Sequence, residues 1–206
     1  MRTIVGDQIQ DKSVTPPTAG SASTPGWAYH RVQKDNRNTR AENVAGNFWV
    51  GHTCIDCDTC RTMAPETFSR IDEQSAVHQQ PSDRKGRVRA LQALLSCPTF
   101  SIHVNERSAE ELKEAQAGMP LPVPGTANCF SCGWRSEKTV GGESFIITRP
   151  QGNVMVDAPR YNPVLAKRIQ EMGGIQYIVL THNGGWEHTQ PGRACLGHAL
   201  PANFPC

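Results

Sequence analysis

Cys54-Ile55-Asp56-Cys57-Asp58-Thr59-Cys60, answered later in the chain by Cys97-Pro98, is the text that decides the fold. Three cysteines at two-residue spacing suit three corners of a cubane iron–sulfur cluster. The residues between them let the backbone wrap such a cluster. The fourth corner normally comes from a distant cysteine, commonly followed by proline. The spacing therefore predicts a single 4Fe–4S cluster held by Cys54, Cys57, Cys60 and Cys97. In two-cluster bacterial ferredoxins a further cysteine stands four positions after the third and precedes proline. Here Ala64-Pro65 fills that place, so the proline is kept and the ligand is missing. One triple-cysteine run means one cluster, and a cysteine at the middle position speaks against a three-iron form.

Two other readings of the cysteines compete. A structural zinc site wants two separated Cys-x2-Cys pairs, and Cys54/Cys57 with Cys129/Cys132 offers them. That leaves Cys60 over and separates the pairs widely. Disulfides between cysteines three apart are strained. The first 25 residues also lack the apolar centre of a secretory signal. Eight cysteines in 206 residues thus favour a cluster or metal site over a disulfide framework.

Working outward, residues 47–53 read as a short strand entering Cys54. Val88, Leu91, Leu94 and Leu95 share one face of a helix over 86–95 that runs into Ser96-Cys97-Pro98. Alternation of Phe100, Ile102 and Val104 predicts a strand over 99–104. A short helix over 108–116 meets the proline-rich run Met119-Pro120-Leu121-Pro122-Val123-Pro124-Gly125, where a domain boundary is expected. Beyond it come strands over 144–148 and 154–156, a helix from Pro163 to Met172 capped by Asn162, and an apolar strand over 175–180. A hairpin, a helix and a further strand open an α/β layered arrangement.

The expected organisation is an N-terminal segment over 1–44, rich in Ser, Thr and Pro and unable to bury apolar surface, and a cluster domain over 45–106 that folds by itself. A linker over 107–128, a partial second domain over 129–182 and an irregular tail over 183–206 follow. The N-terminal segment reads equally as a solvated tail or an organelle transit peptide. Asp7, Asp11 and Asp35 argue against transit, so the location reads as chloroplast or cytoplasm.

Composition narrows the function classes. With 21 Lys and Arg against 19 Asp and Glu, the chain has no basic footprint for nucleic acid. No apolar run is long enough to span a membrane. The 18 glycines, 15 prolines and a mean hydropathy of −0.48 favour short elements and turns. Ile55, Met63, Phe68, Ile71 and Leu95 offer an apolar shell for the cluster. Asp56, Asp58, Glu66, Asp72 and Glu73 offer an acidic face, a docking surface for a basic redox partner protein or simply a solvated one.

With these residues in hand, the chain resembles a family that joins a ferredoxin-like domain to a metallo-β-lactamase-like hydrolase domain in plants, algae and cyanobacteria. The matching text is Glu42-Asn43-Val44, Phe48-Trp49-Val50, Cys54 to Cys60, Met63 to Glu66, Ser75-Ala76-Val77 and Ala90 to Pro98. It continues through Cys132-Gly133, Ser136-Glu137-Lys138, Gly152-Asn153 and Val156 to Tyr161 to Leu180-Thr181-His182. The resemblance implies an α+β chain in which a ferredoxin-like 4Fe–4S domain precedes the N-terminal edge of an αββα metallo-β-lactamase-like fold. It makes His182 the first ligand of a zinc or iron site in the hydrolase domain. The ligand run that should follow is replaced by Asn183-Gly-Gly-Trp-Glu187-His188, and the remaining ligands would lie beyond residue 206. The chain therefore looks C-terminally truncated, with no complete catalytic set. Two functions stand side by side: a one-electron transfer module, and a metallo-hydrolase or oxidoreductase in which the cluster domain is accessory or redox-sensing.

Overall fold

A computed structural model describes residues 38–181. The transit-like stretch over 1–37, His182 and the tail over 183–206 lie outside the described residues. Elements are labelled in chain order within that range.

The cluster half is built from short pieces. Strand β1 (Phe48–Val50) pairs antiparallel with β4 (Ile102–Val104), bringing the chain entering Cys54 beside the chain leaving Cys97. Helix α1 (Thr59–Met63) begins within the triple-cysteine run. A two-residue hairpin joins β2 (Phe68–Ile71) to β3 (Gln74–Val77). Its turn residues, Asp72 and Glu73, both have positive φ, 48° and 63°, as a turn matching the strand twist requires. Helix α2 (Arg84–Ser96) is capped by the Asp83 carboxylate, which accepts from the Gly86 amide at 2.7 Å. Helix α3 (Ala109–Ala117), capped by Ser108, packs on α2.

Two segments depart from the expected organisation. Residues 38–44, assigned above to the N-terminal segment, are built into the cluster half. Buried Arg40 donates to the Ser75 carbonyl at 2.6 Å and the Ile71 carbonyl at 2.9 Å. The Asn43 amide nitrogen donates to the carbonyls of Arg40 and Val50, while its oxygen accepts from the amides of Val50 and Val77. One short side chain thereby ties together strands distant in sequence, a saving of buried backbone groups that hydrophobic patterning cannot reveal. Residues 107–128, expected as a linker, carry α3, the buried Met119 and strand β5 (Leu121–Pro122).

The second half is one sheet in the order β5-β6-β7-β8-β9, with β6 at Cys129–Ser131, β7 at Phe145–Ile147, β8 at Val154–Val156 and β9 at Tyr177–Val179. All pairs are antiparallel except β8 with β9, which are joined through α4 (Pro163–Glu171) and run parallel. Leu165 and Ile169 of α4 pack with Ile146 and Met155 on one face of the sheet. Leu95 and Leu121 touch both hydrophobic cores, and the described residues belong to a single compact unit. The two expected domains are thus one packed body in which the second half closes over the C-terminal end of α2. Among the described residues no helix is long and apolar enough to cross a membrane.

Candidate iron–sulfur site

Cys54, Cys57, Cys60 and Cys97 line one recess of about 280 Å³, counting the solvent at its mouth, with Val50, Ile55, Thr59, Ser75, Thr99, Ser101 and Ile102. The placement follows from local structure. Asp56 and Asp58 adopt left-handed backbone angles, φ 56° and 65°, a conformation that aspartate tolerates better than most residues. Left-handed residues alternating along a loop curl the backbone into the concave shape that receives anions. Cys60 enters on α1, and Cys97 sits at the end of α2, where the following proline prevents the helix from continuing.

The loop is pinned from outside. Arg61 donates to Asp56 at 2.7 Å, to Asp58 at 2.5 Å and to the Ser75 hydroxyl at 2.6 Å, and Arg70 adds a second bond to Asp56. Burial opposes ionisation of Asp56, but the two arginines outweigh it and hold its carboxyl below the usual carboxylate range. Gln74 donates to the Cys54 carbonyl at 2.6 Å. Two of the five acids expected to form an acidic face, half-buried Asp56 and exposed Asp58, are therefore tied to arginines that brace the loop, and Ile55 and Phe100 stand exposed beside them.

The thiols are set in polar company. The Ser101 amide donates to the Cys97 sulfur at 3.3 Å, and the Thr99 hydroxyl lies 3.7 Å from it. Thr59 approaches the Cys57 sulfur at 3.1 Å. Burial pushes the Cys60 thiol up to about 12, with a hydrogen bond from Ser75 partly offsetting it. Such a thiol ionises readily only against a metal's charge, so loading must release protons. Gly141, with φ +79°, closes one wall: a Cβ there would lie 2.7 Å from the Cys57 Cβ.

The donor set tests which group fits. Four thiols line one recess, the number of thiolates that a 4Fe–4S cluster takes. The zinc alternative also needs Cys132, which is buried beside Met119 and Trp134 in the other core and absent from the recess lining. Burial raises its thiol pKa far above normal, as expected of a packing residue. Among the described residues every cysteine is a free thiol.

Residues 50–104 match the family model of the 4Fe-4S single cluster domain of ferredoxin I. The chain thus contains a 4Fe–4S ferredoxin-like domain, and that family implies the cluster. The matched stretch includes all four recess cysteines and stops before α3, so the metallo-β-lactamase-like attachment gains no support from it. No curated protein and no solved structure matches the chain.

Sequence reasoning missed the residues that hold the ferredoxin-like domain's recess in shape: Arg61, Ser75, Gly141 and, from the sheet half, Arg160. Their roles depend on partners remote in sequence. Only the positive charge of Arg61 beside two aspartates was a readable signal.

Proposed function

We propose that this chain is a one-electron carrier whose single 4Fe–4S cluster is held by Cys54, Cys57, Cys60 and Cys97. The observation that carries the reading is the meeting of these four thiols in one recess. When bound, the cluster takes up and releases one electron. The chain's residues hold it, shield it behind Val50 and Ile102, and leave Ile55 and Phe100 exposed near the cysteines. The partner is a redox protein that docks on this mixed apolar and polar face; of the expected acidic face, Glu66, Asp72 and Glu73 remain as exposed acids that no arginine among the described residues pairs. Anaerobic reconstitution with iron and sulfide should give broad visible absorption that bleaches when the protein is reduced. A colourless protein holding one zinc would contradict the reading.

A second reading, an attached metallo-hydrolase fold with its metal at His182, has one observation in its favour. Asp157 at the end of β8 accepts from the Thr181 amide at 2.8 Å and the Thr181 hydroxyl at 2.5 Å. This ties the adjoining ends of two parallel strands, the place where open α/β sheets bind ligands. Zinc or iron retained beyond the cluster's own, together with hydrolysis of an ester or lactam, would support it. Their absence from the full chain would remove it.

A further inference from the structure

The sheet half sends one side chain to the ligand loop of the ferredoxin-like domain. Arg160 follows β8 and is anchored by its own amide, which donates to the Trp134 carbonyl at 2.8 Å. Its guanidinium donates to the Leu95 carbonyl at 3.1 Å and to the carbonyl of Cys97 itself at 3.4 Å. It lies over the Phe100 ring, 4.1 Å from the centroid. Leu95 and Cys97 close the last turn of α2, whose terminal carbonyls lack helical partners and carry the negative end of the helix dipole. That accounts for a helix-capping arginine.

A second property goes beyond capping. Among the described residues no carboxylate pairs with Arg160, whereas Arg40, Arg61, Arg70, Arg84, Arg87, Arg135 and Arg168 each have one. Arg160 is half-buried, and a cation withdrawn from water needs a compensating charge. The groups it binds are carbonyls at the end of α2, one of them that of Cys97, so its charge sits beside a cysteine of the recess.

We propose that Arg160 is the counter-charge of the iron–sulfur centre, a positioning residue supplied by the sheet half that raises the reduction potential. The proposal rests on the cluster reading above. Reduction brings in one electron and no atom, so the net charge beside Cys97 becomes more negative by one. A fixed guanidinium, always protonated, favours that state, and charge near a cluster is one of the determinants of its potential. The sheet half thereby acts on electron transfer without contributing a ligand.

The test uses the full chain reconstituted anaerobically in three forms: unaltered, Arg160→Lys and Arg160→Gln. Iron and sulfide are counted first. The midpoint potential is then measured by titration with dithionite, followed by visible absorption and electron paramagnetic resonance. Arg160→Gln keeps a donor but no charge, and its midpoint should move to more negative potential. Arg160→Lys keeps the charge and should stay nearer the unaltered protein. If Arg160→Gln cannot hold a cluster while Arg160→Lys can, the charge is again what the site requires. Equal midpoints in all three forms, equal shifts in both variants, or loss of the cluster from both would overturn the proposal and leave Arg160 a helix cap. An unaltered chain that binds no iron–sulfur cluster would defeat the cluster reading, and this inference with it.

Discussion

Gly141 packs against Cys57 so closely that a Cβ on the glycine would stand 2.7 Å from the cysteine Cβ and 3.2 Å from its sulfur. The contact joins the loop after Arg135 to the middle cysteine of the triple-cysteine run. Gly125 has the same φ, +79°, but open space around it. The two glycines therefore separate backbone strain from crowding of Cys57. Each Gly→Ala change should cost roughly 1–2 kcal/mol for the left-handed conformation. Only Gly141→Ala should in addition speed loss of the visible chromophore in air. Equal rates of bleaching in the two variants would show that the wall at Gly141 does not matter to the site.

The cluster half begins before β1, at the Arg40 and Asn43 anchors. A chain starting at residue 45 loses both, whereas one starting at residue 38 keeps them. Asn43→Ala removes four hydrogen bonds to buried backbone and should cost roughly 3 kcal/mol. Thermal melts should place the start-at-45 chain and Asn43→Ala well below the start-at-38 chain. Matching melting temperatures for the chains starting at 38 and 45 would show that the domain begins at β1 after all.

Arg87 and Glu111 join α2 to α3, with both carboxylate oxygens within 3.0 Å of the Arg87 Nε. Their hydrogen bond holds the Glu111 carboxyl below its ordinary value, against the opposing effect of burial. A carboxyl lowered on folding stabilises the fold above its unfolded pKa, and that contribution is lost as pH falls through the folded value. The unaltered chain should therefore melt higher than Glu111→Gln at neutral pH. The gap should close as pH drops below about 4.5, the ordinary glutamate range. A gap independent of pH would mean that packing, not the ion pair, accounts for it.

How much of this was legible depended on whether the signal was local. The helix leading into Cys97 showed its apolar period, and α2 runs over 84–96 where 86–95 was expected. The Asn162-Pro163 start of α4 is a local capping signal, and the helix begins there. The β2–β3 hairpin was not legible because its turn is Asp72-Glu73, without the glycine or asparagine that usually marks such a turn. Strand β5 hid inside a proline run; as an edge strand it can hold Pro122, whose missing N–H is not needed on the open side. The four recess cysteines were readable because their spacing is itself the geometry. Arg160 was not, since its contacts with Leu95 and Cys97 span 65 and 63 residues.

The central claim is that, of the six cysteines among the described residues, Cys54, Cys57, Cys60 and Cys97 hold one 4Fe–4S cluster and Cys129 and Cys132 do not. The most direct measurement is iron and acid-labile sulfide per chain in the full protein and in six single Cys→Ser variants. The account predicts about four irons and four sulfides in the unaltered chain, in Cys129→Ser and in Cys132→Ser. It predicts a marked loss in each of Cys54→Ser, Cys57→Ser, Cys60→Ser and Cys97→Ser. Full iron in any of those four, or loss of iron in Cys129→Ser with Cys132→Ser, would contradict it.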